Sequence, residues 1–122
     1  MTNFILLMIT FLLVLLFGSI SFIYSIIKRA FKGVSFYFYK IAFSLDQTSN
    51  TICQDLFNDL LIFSYGHRFG NPDETLSHVL GVNKEQNTLY PLGRLIAALV
   101  NIIAAVFFKD FNHVEKAAKK PQ

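Results

Sequence analysis

Three groups of side chains in this sequence have the types that do chemistry. Asp46 and Asn50 stand at i and i+4, Asp73 and Glu74 are adjacent, and His67, His78, His113 and Cys53 are the imidazoles and the thiol. General acid–base work needs titratable groups held at a substrate. The acidic pair has the right type, but its context GNPDETLSHVLG accounts for it without a substrate. Asn71 is placed to cap a helix, Pro72 suits its first position, Asp73 and Glu74 favour the positive helix end, and Gly81 suits a left-handed stop. The histidines lack the C-x-x-C or H-x3-H spacing of a zinc site. A single cysteine excludes an intramolecular disulfide. Ser/His/Asp, Cys/His and phosphate-loop arrangements are absent. The reading is therefore no enzyme: no catalytic, cofactor-binding or metal-ligating residues. His67-Arg68, in a glycine-bounded loop from Tyr65 to Gly70, reads as solvated loop charge.

The element that must position Asp46 and Asn50 is a helix from about Tyr39 to Phe63. On a wheel advancing about 100° per residue, Leu45, Ile52, Cys53, Leu56, Phe57, Leu60 and Leu61 share one half with Tyr39, Ala42 and Phe43. Gln47, Thr51, Gln54, Asp55, Asn58 and Asp59 share the other. Asp46 and Asn50 break the pattern by pointing into the apolar half. A carboxylate there costs several kcal/mol unless it is hydrogen-bonded. Either the helix breaks near Thr48-Ser49 or the pair has a dedicated partner, and the partner is the favoured reading.

Before this helix lies Phe4–Ile27, FILLMITFLLVLLFGSISFIYSII, without a charge or a proline. At about 1.5 Å per residue it reaches roughly 36 Å, beyond the hydrocarbon core of about 30 Å. Lipid offers no partner for backbone amides, so the segment must be helical there. A cleaved signal peptide would carry a basic n-region and a small-x-small site. Met1-Thr2-Asn3 is uncharged and only Gly18-Ser19 hints at cleavage, so a transmembrane anchor is expected. Lys28, Arg29, Lys32 and Lys40 follow, with no acid until Asp46. That flank places the N-terminus outside and residues 28–122 mostly in the cytoplasm.

Composition fits this reading. Of 122 residues, 53% are hydrophobic and only 16% charged, and 14 Phe need a non-aqueous surface. The net charge of +3 comes from basic residues placed beside hydrophobic segments, not on a basic face with aromatic platforms. No nucleic-acid partner is expected.

A second apolar stretch, Leu92 to Phe108, is interrupted by Arg94 and Asn101. What remains is short for a span, and basic residues follow both stretches. Two spans would put those flanks on opposite sides, against the positive-inside tendency. One span is expected, with the second helix buried against a partner or lying at the interface. The tail VEKAAKK reads as a solvated helix end near anionic lipid.

Three runs, IAFSLDQTSNTI, GNPDETLSHVLG and DFNHVEKA, make residues 41 to 116 resemble a group of small tailed-phage proteins of unassigned role. In that group a hydrophobic N-terminal stretch leads into an Asp-Gln…Asn helix, a Gly-Asp-Pro-Asp-Glu-Thr-Leu-Ser turn and an Asp-Pro-x-His end. The matching positions are Asp46, Gln47 and Asn50, then Pro72, Asp73, Glu74, Thr75, Leu76 and Ser77, then Asp110 and His113. This chain departs by an apparent insertion at 54–69, a more apolar C-terminal stretch and the lack of cysteines near the end. The resemblance implies a viral origin. It also gives the misplaced polar pair a destination: a structural clasp in which Asp46 and Asn50 bond the turn holding Asp73, Glu74, Thr75 and Ser77.

The expected fold is all-α: a transmembrane helix, an amphipathic helix, a short capped helix and an apolar C-terminal helix. Residues 1–30 form the anchor and 31–122 a small helical domain at the membrane surface. The expected role is a phage structural or assembly component whose partners are the lipid bilayer and further copies or other virion proteins. The alternative is a holin-like lysis protein that disrupts the bilayer.

Overall fold

A computed structural model describes residues 1–30 and 32–120. The fold is all-α, with six helices among the described residues. They divide into two compact units, Met1–Lys40 and Ile41–Gln122. The division falls inside a helix, later than the expected boundary at residue 30.

The first unit is dominated by α1, Thr2–Arg29, a 28-residue apolar helix long enough to cross a membrane. Its central turn, Val14–Gly18, is wound as a π-bulge. No side chain of α1 is buried. Ala30 ends it in the left-handed conformation, its N–H bonded to Ile27 O at 2.9 Å. The next helix, α2 (Val34–Ile52), begins earlier than the sequence pattern indicates. Phe22 meets Tyr37 and Phe38 ring to ring at 6.1 and 5.8 Å, and the Arg29 guanidinium lies 4.7 Å from the Tyr37 ring.

In the second unit the expected helix from Tyr39 to Phe63 is two helices. α2 ends at Ile52, Cys53 sits at φ −86°, ψ 2°, and α3 runs Gln54–Leu60. The break is therefore at Cys53, past the Thr48-Ser49 position considered from sequence. Much of the predicted apolar face is not covered by this chain: Leu45, Ile52, Leu56 and Leu60 are exposed. Leu61 and Ile62 instead enter the core, where Phe63 N–H and Tyr90 N–H bond Thr88 O and Leu61 O in a short antiparallel bridge.

The short capped helix is displaced. α4 spans Leu76–Glu85, and Thr75, not Asn71, is its cap, accepting from His78 N–H at 3.1 Å. Asn71 closes a turn instead: Oδ1 accepts from Asp73 N–H and its carbonyl from Glu74 N–H, both at 3.1 Å. Asn-Pro-Asp is as good a turn as a helix start, and the tertiary bonds described below decide for the turn. Gly81 is not the helix stop but lies within α4. A Cβ there would stand 2.0 Å from Val114 O, so the glycine lets α4 touch the backbone of α6 (His113–Lys119).

Between them α5, Pro91–Phe108, starts with proline at its first turn and ends at Lys109 in the left-handed region. The core gathers Leu61, Ile62, Phe69, Val79, Leu80 and Leu89 with Ala97 of α5 and Val114 of α6. α5 turns small residues inward: Gly93, Ala97 and Ala104 are buried. Of its large residues Ile96 and Val100 pack against the core, while Leu95, Leu99, Ile102, Ile103, Val106 and Phe107 are exposed.

Candidate functional site

The loop 62–75 has little regular structure, yet its backbone is held at nearly every bend by asparagine side chains. Asn50 is fully buried. Its Nδ2 donates to Asn71 O and Glu74 O, each at 2.9 Å, while Oδ1 accepts from Gly70 N–H at 3.2 Å. One turn earlier, Asp46 Oδ1 accepts from Leu76 N–H at 2.9 Å and Oδ2 from the Ser77 hydroxyl at 3.0 Å. Gln47 Nε2 donates to Asp73 O at 3.0 Å. Asp46 thus serves the first amides of α4 alongside Thr75, satisfying donors that a helix start leaves open. These contacts explain why two polar residues interrupt the apolar face of α2.

Of the residues expected in the clasp, Asp46 and Ser77 meet through side chains, Asn50 bonds the backbone of the turn, and the Thr75 hydroxyl caps α4 by accepting from His78 N–H. Asp73 enters by its carbonyl. The Glu74 backbone accepts from Asn50, but its carboxylate turns the other way.

That carboxylate meets two histidines. His67 Nε2 lies 3.0 Å from both Glu74 oxygens, and His78 Nε2 lies 3.7 Å from Oε1. The two rings face edge on at 6.1 Å. Their ligand-type atoms and one carboxylate oxygen all fall within 4.8 Å of one another, a grouping able to hold a metal ion. The reading that the histidines form no ligand grouping is corrected here, while His67 keeps its expected contact with solvent. Sequence spacing alone placed His67 far from His78, whereas the turn at 70–74 folds it back over α4. Glu74 and His78 are an i, i+4 pair, which was visible in the sequence. The third member needed the tertiary fold.

Each member is fixed from behind. Asn83, fully buried, takes the His67 peptide between its amide atoms: Oδ1 accepts from His67 N–H at 2.9 Å and Nδ2 donates to His67 O at 2.7 Å. His78 Nδ1 bonds the Ala117 carbonyl of α6 at 2.8 Å. Asn58 of α3 makes the same two-point contact with Phe69, at 2.8 and 3.0 Å. None of these asparagine roles was read from the sequence.

A second polar knot ties α5 and α6. Asn101 Oδ1 accepts from Val114 N–H at 2.8 Å, and its Nδ2 donates to Glu115 Oε2 at 2.9 Å. It therefore caps another helix, which is why an amide interrupts the apolar run. Glu115 also pairs with Lys84 of α4. Burial raises the Glu115 pKa, but hydrogen bonds from Lys84, its own backbone and Asn101 outweigh it and hold the group below its ordinary value. Asp110 bonds Lys116 Nζ at 2.6 Å and His113, and those hydrogen bonds hold its carboxyl low as well.

Chemically, the arrangement offers one carboxylate and two imidazoles on a braced loop, with His67 the most open of the three. Comparison with protein-family models, curated proteins and solved structures finds no match.

Proposed function

We propose that this chain is a membrane-anchored, non-enzymatic structural or assembly protein, of phage origin. The observation that carries the reading is α1, a 28-residue helix of high mean hydropathy in which no residue is buried. At about 25 cal/mol per Å² of apolar surface, leaving such a helix in water is far costlier than placing it in lipid. The basic flank Lys28, Arg29 and Lys32 supports an outside N-terminus, with the helical unit on the cytoplasmic face.

The assembly surface is α5. A helix that seats glycine, alanine, Ile96 and Val100 on the core and leaves most of its large aliphatics outward has a broad apolar face still uncovered. Leu92, Leu95, Leu99, Ile102 and Val106 stand on that outer face at alternating three- and four-residue steps. This is the spacing with which one helix seats against another of its kind. Neighbouring copies are the partner this surface fits, and the phage resemblance of residues 41–116 supports a virion or membrane-bound assembly.

The test is expression of the full chain in bacteria. The protein should stay in the membrane fraction after alkaline wash. A Cys53→Ser, Leu99→Cys variant should cross-link to dimers there, and the chain should be recovered in purified particles. Recovery in the soluble fraction overturns the anchor. Collapse of the membrane potential on induction would favour the lysis reading instead.

A further inference from the structure

We infer that His67, Glu74 and His78 form a binding site for a divalent transition-metal ion of zinc type. The argument begins at the other end of the His78 ring. Nδ1 lies 2.8 Å from the Ala117 carbonyl, which can only accept, so Nδ1 carries the hydrogen. In the neutral ring this leaves Nε2 as a bare lone pair, and it faces Glu74 Oε1 at 3.7 Å. Both side chains are largely buried, at 12% and 14% exposure. Two acceptors aimed at each other in such a place repel unless a positive centre lies between them. His67 Nε2, 3.0 Å from both carboxylate oxygens, brings a third donor atom to the same point.

The dimensions suit an ion. Zinc bonds imidazole nitrogen and carboxylate oxygen at about 2.0 to 2.2 Å, so tetrahedral ligand atoms stand about 3.4 Å apart. The two edges at the carboxylate, 3.0 and 3.7 Å, lie on either side of that spacing. Two imidazoles and a carboxylate select zinc over magnesium or calcium, which prefer all-oxygen shells. Metal-bound histidines commonly donate their second ring N–H to a carbonyl, and His78 does so to Ala117. Asn83 fixes the His67 peptide and Asn50 the Glu74 carbonyl, so the ligands need little ordering on binding. Three protein ligands leave the fourth position to water on the His67 side. The ion would lock the 62–75 loop to α4, a structural task compatible with the absence of catalysis in the reading above but independent of it.

The test uses the full chain in detergent, stripped with chelator and titrated with cobalt(II) and zinc. The expected result is one equivalent per chain, the ligand-field spectrum of tetrahedral cobalt, and displacement by zinc. His67→Ala, Glu74→Gln and His78→Gln should each weaken binding at least about 100-fold, while His113→Ala leaves it unchanged. Nitrogen-15 shifts of the wild-type chain must show Nε2 of His78 coordinated, which decides the matter even if a variant fails to fold. Absence of stoichiometric binding overturns the site, as does binding that survives in the triple variant.

Discussion

Asn83 holds both backbone polar groups of His67, accepting from the N–H at 2.9 Å and donating to the carbonyl at 2.7 Å. The same amide donates to Val79 O at 2.8 Å and accepts from the Thr88 hydroxyl at 2.6 Å. All its hydrogen-bonding capacity is spent inside the fold. Gly66 makes the approach possible, since a Cβ there would stand 2.6 Å from Asn83 Oδ1. Asn83→Ala leaves the His67 N–H and carbonyl without their mates at about 1 to 3 kcal/mol each, while the Thr88 hydroxyl keeps the residue 83 carbonyl. Partial relaxation brings the expected total loss to about 2 to 4 kcal/mol. Urea unfolding of the full chain in detergent measures it. A loss below about 0.5 kcal/mol would mean that water replaces the amide freely.

Asp46 is the equivalent brace on the other side of the loop. Asp46→Ala strips Leu76 N–H and the Ser77 hydroxyl of their acceptor, and should cost about 1 to 3 kcal/mol. Asp46→Asn keeps one acceptor oxygen and should cost less. A double-mutant cycle with Ser77→Ala isolates the Oδ2 contact, expected to couple by about 1 kcal/mol. Additive losses would show that the hydroxyl has found another partner.

Much of this architecture was legible in the sequence because its causes are local. An uncharged run from Phe4 to Ile27 forms a helix long and apolar enough to cross a membrane. Asp46 and Asn50 announced a tertiary partner by violating the apolar face around them. The capped helix was misplaced because Asn71-Pro72-Asp73 satisfies turn and helix-start chemistry equally well. Only the bonds from Asn50 and Asp46, made by residues more than 20 positions away, choose between them. Gly81 misled for a similar reason: a helix stop and a helix crossing both call for a missing Cβ, and only the position of Val114 tells them apart. Asn83 and Asn101 were opaque because an asparagine reveals nothing until the backbone it pairs with is in place.

The crossing at Gly81 makes its own prediction. Gly81→Ala forces a Cβ against Val114 O, a backbone atom that cannot turn aside, and meets Ala118 Cβ at 2.8 Å. The expected loss is about 1 to 3 kcal/mol from overpacking. Amide exchange should quicken along α6, whose grip on α4 is loosened. Gly18→Ala is the control: its Cβ would make only an ordinary 3.6 Å contact with Val14. Stability should not fall there. If Gly81→Ala were equally silent, α4 and α6 would not meet at backbone distance.

Acid should unfasten the same end of the fold. Glu115 and Asp110 titrate below their ordinary 4.5 and 3.8 in the folded chain, held there against burial by Lys84 and Asn101 and by Lys116 and His113. Below those ordinary values the unfolded chain binds more protons than the folded one, so stability must fall with falling pH. The contribution of the two carboxylates is complete above about pH 5.5 and is lost as the pH drops through 4.5 and 3.8 toward the lower folded values. Both groups are partly solvated, so each effect is modest and screened by salt. Unfolding curves of the wild-type chain from pH 7 to 3 should bend down in that window. Glu115→Gln starts from a less stable fold but cannot gain that proton, so its slope below pH 4.5 should be shallower. Parallel curves would mean that Lys84 and Asn101 stabilise the charged and neutral carboxyl alike, and that the junction of α4, α5 and α6 does not depend on the Glu115 charge.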